Sequence, residues 1–167
     1  ASVTGLVDKG NRLYKDQKFE DALKLYDQAL SAQPNSAVIN FNEGAAQYKT
    51  KEYQQANSSF EKALTTDDKG LEAKANYNLG NSRYMWGVSK ENSDLQGAVQ
   101  LLEGALSNYK RALELTQKDE DAKVNYKIAE EKLKELKEKL KKQPQQNQNN
   151  QQQQEQPKPQ DQQEQNK

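Results

Sequence analysis

The sequence predicts an all-α fold in which about three helix pairs, the third with an insert, stack as an α-solenoid that ends in a C-terminal capping helix. Three observations predict it. Residues in the first half of the chain repeat at a spacing of 34. Apolar residues in the second half recur at alternating spacings of three and four, the helical period. The stretch 120–142 has one apolar face, and its other positions are mostly Lys and Glu. Repeats of this length are typical of solenoids.

The first two helix pairs are predicted from the 34-residue period. Eight pairs of identical or similar residues share this spacing: Gly10/Gly44, Tyr14/Tyr48, Lys15/Lys49, Phe19/Tyr53, Ala22/Ala56, Tyr26/Phe60, Ala29/Ala63 and Leu30/Leu64. Gly10 is expected to face alanines of the second helix, such as Ala22, so that the two helices approach closely. The larger residues are expected to fill the space between successive pairs, which cannot bury their apolar faces alone.

The third helix pair contains the insert. Gly80 and Ala105 are 25 positions apart, whereas Gly10 and Ala22 are 12 apart, so thirteen residues are added between the two helices. Apolar residues continue at helical spacing back to about position 95, which predicts one long helix from about 94 to 117. The alternative is a separate short helix, interrupted at Gly97. The first helix of the pair is expected to lengthen through Gly87 so that the two still match.

These patterns divide the chain into two regions. The helical domain covers residues 1–142, with repeats at about 3–36, 37–70 and 73–120 and a capping helix at 120–142. Residues 143–167 contain thirteen Gln, four Asn and three Pro, and no residue that could build a core. Such a segment cannot offset the entropy lost on ordering, so a disordered tail is expected there.

Composition excludes most kinds of chemistry. The chain has no Cys and no His, which removes disulfides, thiol nucleophiles, imidazole bases and most soft metal sites. It has 25 basic and 25 acidic residues, so its net charge gives no reason to expect nucleic-acid binding. No phosphate-binding glycine loop or nucleophile elbow is present. The chain is therefore expected to be neither an enzyme nor a cofactor or metal protein.

The sequence also bears on compartment. No apolar run approaches the roughly 20 residues that span a bilayer, so no membrane-spanning helix is expected. The chain begins at Ala1, which fits removal of a signal peptide or a sequence trimmed at this point.

The repeat resembles the tetratricopeptide repeat, a helix-turn-helix unit of the same length. The resemblance implies a right-handed solenoid that binds a protein or peptide in a concave groove lined by the first helix of each pair. The groove residues that it implies are Asn11, Tyr14, Lys15, Asn42, Tyr48, Lys49, Lys74, Tyr77, Asn78, Asn81 and Tyr84. Asn can pair with peptide amides, and Tyr provides contact area at small entropy cost. The alternative is that some aromatics, such as Phe41 and Tyr77, pack between adjacent first helices.

A degenerate carboxylate clamp is the second functional hypothesis. Tetratricopeptide co-chaperones hold a C-terminal carboxylate with a set of Lys, Asn and Arg residues. The corresponding positions here are Val7, Asn11, Asn42, Lys74 and Asn78. Three of them match, but one Lys and the Arg are missing. The resemblance therefore implies, as an alternative, an assembly factor that recognises chain termini through Asn11, Asn42 and Lys74.

Two stretches narrow the resemblance further. The segments "AKANYNLGNSRY" and "DAKVNY" are similar to the tetratricopeptide proteins of the bacterial aerotolerance (Bat) group. This implies a scaffold in the periplasm or cell envelope that works beside von Willebrand A-type membrane proteins; otherwise a cytoplasmic location is expected. The insert is expected to form a ridge that protrudes from the third helix pair, and Trp86 on this ridge is predicted to be a second contact.

Overall fold

The computed structural model describes residues 1–143, which form seven α-helices and no strand. The helices are α1 (Val3–Lys15), α2 (Phe19–Ala32), α3 (Ala37–Lys49), α4 (Tyr53–Ala63), α5 (Lys69–Ser89), α6 (Leu95–Leu115) and α7 (Glu120–Lys142). The predicted all-α fold is confirmed. The predicted Gln/Asn-rich tail lies outside the described residues, apart from Gln143. Within those residues, no helix is both long and apolar enough to cross a membrane.

Local sequence explains where the helices begin. Five helices start with a side chain that accepts a hydrogen bond from a backbone N–H of the first turn, namely Ser2, Ser36, Asp68, Asp94 and Asp119. The second helices α2 and α4 have no such cap. Instead, each follows a turn with one left-handed residue, Gln17 at φ 60° and Lys51 at φ 64°. These two residues are 34 positions apart, so the backbone of the turn repeats along with the sequence.

The glycines of the repeat face aromatic rings. A Cβ atom on Gly10 would lie 2.7 Å from the ring of Tyr26, and one on Gly80 would lie 2.7 Å from the ring of Tyr109. The expectation that Gly10 faces alanines was therefore wrong. The glycine leaves space for a large side chain, because a buried ring of the second helix packs directly against the backbone of the first helix. Ala22 is also fully buried, in the same apolar cluster as Tyr26.

The insert lengthens both helices of the third pair. Helices α5 and α6 have 21 residues each, compared with 13 for α3 and 11 for α4. Helix α6 is continuous from Leu95, and the Asp94 carboxylate accepts a hydrogen bond from the Gly97 N–H at 2.9 Å. The prediction of one long helix is confirmed, and the separate short helix is excluded. Helix α5 continues through Gly87, as expected, to Ser89.

Helix α7 covers one side of this extension. Its second half joins the extension in one apolar cluster, made of Leu95, Ala98, Val99, Leu102, Leu133 and Leu136. The Glu91 carboxylate, in the turn before α6, accepts a hydrogen bond from Nζ of Lys139 and lies 2.8 Å from Nζ of Lys132, both on α7. These two ammonium groups lower the pKa of Glu91. The predicted ridge is therefore covered by α7 on one side.

Candidate functional site

The first helices line a groove along one face of the stack. Helices α1, α3, α5 and α7 contact one another in this order, in addition to their contacts with neighbouring helices in the chain. A cavity of about 630 Å³ opens between α1, α3 and α5. Eight of the eleven predicted groove residues line it, namely Asn11, Tyr14, Lys15, Asn42, Tyr48, Lys49, Asn78 and Asn81. Positions from all three repeats thus converge on one concave surface.

Asn11 is oriented by two hydrogen bonds within the groove. Its Oδ1 accepts from the Tyr26 hydroxyl at 2.7 Å and from Nδ2 of Asn42 at 3.2 Å. The Tyr26 ring is buried, and its burial raises the pKa of the phenol to about 12, so the hydroxyl remains a donor. Because both interactions use the oxygen, Asn11 has its Nδ2 donors left for a ligand.

Asn81 repeats this arrangement at the other end of the groove. Its Oδ1 accepts from the Tyr109 hydroxyl at 2.6 Å and from Nδ2 of Asn125 on α7 at 3.0 Å. Burial raises the pKa of Tyr109 well above its usual range. Asn81 therefore also offers N–H donors. In the second repeat the equivalent positions are Ala45 and Phe60, so the amide and the hydroxyl are both absent there.

The charges that line the groove are positive. Lys15 and Lys49 are exposed, and the residues around the 630 Å³ cavity include no Asp or Glu. Neither lysine takes part in the ion pairs formed within residues 1–143. Lys74 is also exposed but does not line this cavity. Free ammonium groups beside amide donors suit a ligand that is rich in carbonyl or carboxylate oxygens.

Aromatic contacts hold the groove tyrosines in place. Tyr48 packs edge-on against Tyr53, with ring centroids 5.6 Å apart, and Tyr14 packs in the same way on Phe19 at 5.2 Å. In both cases the partner is the first residue of the next helix. Burial is the main cause that raises the pKa of Tyr14 and of Tyr48.

The rings of Phe41 and Tyr77 each contact an aromatic ring of the second helix of their own pair. Phe41 contacts the Phe60 ring at a centroid distance of 5.8 Å, and Tyr77 contacts the Tyr109 ring at 6.1 Å. Both ring contacts join the two helices of one pair, and the Tyr77 hydroxyl in addition accepts a hydrogen bond from Nδ2 of Asn125 on α7 at 3.1 Å. Phe41 nevertheless lines the 630 Å³ cavity, so one face of its ring reaches the groove.

A second cavity continues the groove toward α7. It measures about 360 Å³, and its lining includes the predicted residues Tyr77 and Tyr84. Asn125 and Ile128 of α7 also line it, and the sequence analysis missed both. They lie outside the apolar stripe that identifies α7 as a cap, because that stripe marks the face turned toward α6. The sequence indicates this second face of α7 through Val124 and Ile128, two apolar residues that are four positions apart.

Trp86 lies apart from the groove and lines an open pocket between α5 and α6. This pocket has a volume of about 440 Å³ and is lined by Arg83, Trp86, Lys90, Asp94, Gly97, Gln100, Leu101 and Gly104. Nζ of Lys90 lies 5.0 Å from the centroid of the indole ring, within the range of a cation–π contact. The α6 residues that line this pocket are on the face of α6 opposite the one that packs on α7. The predicted second contact at Trp86 stays a prediction.

Comparison with known proteins finds similarity both in sequence and in fold. Residues 7–71 match the tetratricopeptide repeat family. The Hsp70-Hsp90 organising protein of Plasmodium falciparum (isolate 3D7) is 40% identical over 48 residues, which are 29% of this chain and 8% of that protein. Stress-induced-phosphoprotein 1 of Caenorhabditis elegans is 32% identical over 126 residues, which are 74% of this chain and 38% of that protein. The chain thus spans less than half the length of either relative.

A solved structure has a similar fold. The first TPR of Spaghetti (RPAP3), bound to the HSP90 peptide SRMEEVD, is 25% identical and superposes with a TM-score of 0.65. The match covers 78% of this chain and 92% of that domain.

Proposed function

Because this chain carries a tetratricopeptide repeat domain, we propose that it is a non-enzymatic scaffold whose groove binds an extended peptide segment of a partner protein. One observation carries the proposal. The oxygens of Asn11 and Asn81 are each occupied by a buried tyrosine hydroxyl and a second asparagine, so that their N–H donors remain for a ligand.

The chemistry of the groove suits a peptide in extended conformation. Such a peptide exposes a carbonyl oxygen at every residue, and amide donors that are already oriented bind these oxygens without further loss of side-chain entropy. Tyr14 and Tyr48 add contact area with few rotatable bonds. Lys15 and Lys49 add attraction for acidic side chains.

Peptide selection on the purified chain tests the proposal. Random 12-residue peptides displayed on phage would be selected on the full chain, and the affinity of the enriched peptides would be measured by fluorescence anisotropy. We expect Lys49→Ala and Asn78→Ala to weaken binding, and Lys127→Ala on α7, which lines neither cavity, to leave it unchanged. The proposal fails if no peptide is enriched, or if the groove variants bind as tightly as the unmodified chain.

A chaperone-like assembly factor that recognises chain termini is the second candidate function. It is favoured by Asn11, Asn42 and Lys74, which occupy three positions of the carboxylate clamp, and by the peptide bound to the solved relative. Comparing each selected peptide with a free and with an amidated C-terminus separates the candidates. Terminal recognition requires the free carboxylate to bind more tightly, and it requires Lys74→Ala to abolish that difference.

For the biological context, we propose a cell-envelope complex with von Willebrand A-type membrane proteins. The similarity of "AKANYNLGNSRY" and "DAKVNY" to the Bat group supports this context. Trp86, outside the groove, is proposed as a second contact with such a partner. The test is co-purification of the tagged chain from envelope and cytoplasmic fractions, with a Trp86→Ala variant in parallel. Recovery from the cytoplasm alone, without a von Willebrand A-type protein, would rule this context out.

A further inference from the structure

The groove and the second cavity form one continuous trough. The 360 Å³ cavity shares Tyr48 and Asn81 with the 630 Å³ cavity and extends from them to α7. Asn125 joins α7 to the wall of the trough, because its Nδ2 donates to Oδ1 of Asn81 at 3.0 Å and to the Tyr77 hydroxyl at 3.1 Å. A peptide lying in the groove would therefore meet α7 if it continued past Asn81.

The α7 end of the trough has no charged residue in its lining and contains exposed apolar side chains. Ile128 lines it and is 47% exposed, and Val124, one helical turn earlier, is 55% exposed. Within residues 1–143, the only other large apolar side chain with such exposure is Val38. Met85 of α5 lies on the other side of this cavity. Single exposed apolar residues are common, but here Ile128 and Met85 line a concave surface beside a polar groove.

Helix α7 does not need these residues in order to end the solenoid. Its first turns present lysine and acidic residues at Lys123, Lys127 and Glu130, which are all exposed. Polar residues at 124 and 128 would serve a terminal helix equally well, because the buried positions of α7 are Ala122, Ala129, Leu133 and Leu136. The position of Val124 and Ile128 is therefore not explained by packing within the domain.

The two ends of the trough differ in chemistry. The end formed by the first two repeats has the lysines Lys15 and Lys49 and an amide donor at Asn11. The end formed by α5 and α7 is lined by uncharged residues, which are tyrosines, Asn81 and Asn125, together with Met85 and Ile128. A ligand that fits both ends carries acidic groups at one end and an aliphatic side chain at the other.

We propose that α7 forms the second half of the binding site, where the cleft between α5 and α7 holds an aliphatic side chain of the same peptide whose acidic portion lies near Lys15 and Lys49. This inference rests on the proposed function and specifies the partner as an extended, acidic segment with one aliphatic anchor. Burial of that anchor against Ile128 and Met85 adds a hydrophobic contribution that does not depend on salt, whereas attraction by the lysines weakens as salt is added.

The experiment uses peptides selected from the random 12-residue phage library on the full chain. We expect the enriched sequences to have a Leu, Ile, Val or Met at a fixed distance from Asp or Glu residues. Ile128→Ser should weaken binding about tenfold, on the scale expected for burial of one aliphatic side chain. This loss should persist at 0.5 M NaCl, whereas the loss caused by Lys49→Ala should shrink. Lys127→Ser, on the same helix but outside the cavity, is the matched control.

A double-mutant cycle identifies the contact. Replacing the aliphatic residue of a selected peptide by Ser should weaken binding to the unmodified chain about tenfold and to Ile128→Ser much less. If Ile128→Ser and Val124→Ser bind every selected peptide as well as the control does, while Lys49→Ala still loses affinity, the inference about α7 is wrong and the groove function stands. If no peptide is enriched, or if Lys49→Ala also binds normally, the proposed function fails and the inference fails with it.

Discussion

The Tyr26 hydroxyl donates a hydrogen bond to Oδ1 of Asn11 at 2.7 Å, across the two helices of the first pair. The Tyr26 ring is 1% exposed, so its hydroxyl depends on this acceptor. In the second repeat both members of the pair are replaced, by Phe60 and Ala45. Hydroxyl and amide are thus present together or absent together, which is expected if an unpaired buried hydroxyl is more costly than no hydroxyl at all.

This relationship predicts non-additive mutations. Asn11→Ala should lower the free energy of unfolding by about 1–3 kcal/mol, because it leaves the Tyr26 hydroxyl without its acceptor. Adding Tyr26→Phe, which recreates the residue pair of the second repeat, should recover part of the loss. Urea denaturation of the two single variants and the double variant measures this. Strictly additive losses would show that the hydroxyl and the amide are not coupled.

The contact between a glycine and a buried ring predicts that substitution by alanine has opposite effects on stability at two helical glycines. Gly80→Ala should lower the free energy of unfolding by about 1–3 kcal/mol, because the new Cβ would lie 2.7 Å from the buried Tyr109 ring. Gly104→Ala is the matched control within a helix of the same pair. Its Cβ would meet only the Arg83 side chain at 3.3 Å, which can move, and alanine gains about 1 kcal/mol of helix propensity.

Thermal unfolding of these two variants provides the measurement. Gly80→Ala should unfold at a lower temperature than the unmodified chain, and Gly104→Ala at the same or a higher temperature. Equal shifts in the two variants would mean that the ring at Tyr109 does not restrict the backbone of α5.

The left-handed turn residue Lys51 predicts a stabilising substitution. Its φ of 64° is unfavourable for a residue with a Cβ atom. Lys51→Gly removes that strain and should raise the free energy of unfolding by up to about 1 kcal/mol. Lys51→Ala, which keeps a Cβ, should give no such gain. Chemical denaturation distinguishes the two, and an equal effect of Gly and Ala would attribute the change to loss of the lysine side chain.

The raised pKa of Glu43 predicts that the stability of the fold decreases as pH rises. Burial, together with the neighbouring Asp27 carboxyl, raises the pKa of Glu43 to about 7 in the folded chain. The folded state therefore binds this proton more tightly than the unfolded state does. The free energy of unfolding should decrease between the ordinary pKa of a glutamate and about pH 7, and then level off. Hydrogen bonding from Ser59 and the charge of Lys62 oppose the shift without cancelling it.

The variant Glu43→Gln isolates this effect. It removes the titrating group while keeping the size of the side chain, so its stability should change less between pH 5 and pH 8 than that of the unmodified chain. At pH 8 it should be the more stable of the two. Denaturation curves at both pH values measure the difference, and parallel pH profiles would assign the dependence to other groups.

Much of the fold could be predicted because it depends on local patterns. The 34-residue spacing identified the first two helix pairs, and the apolar residues between Leu95 and Tyr109 identified α6 as one helix. Eight of the eleven predicted groove residues line one cavity because they face the same side of helices with the same repeat. Lys74 lines neither cavity of the trough, and Tyr77 and Tyr84 line its second cavity.

The parts that could not be predicted depend on which distant residues meet. Spacing alone does not reveal that Gly80 faces the Tyr109 ring, or that Glu91 binds two lysines of α7. It also does not tell which side of α7 borders the trough, since the face that identifies this helix as a cap is the one buried against α6. These contacts join residues 29 or more positions apart.

The sequence by itself determined the number, length and order of the helices, because hydrophobic period and capping residues act within a few turns of the chain. Only the tertiary structure decided what the groove offers to a ligand. The Asn11 and Asn81 amides present N–H groups because buried tyrosines from the neighbouring helix occupy their oxygens. Ile128 reaches the trough because α7 is held against α5 by Asn125.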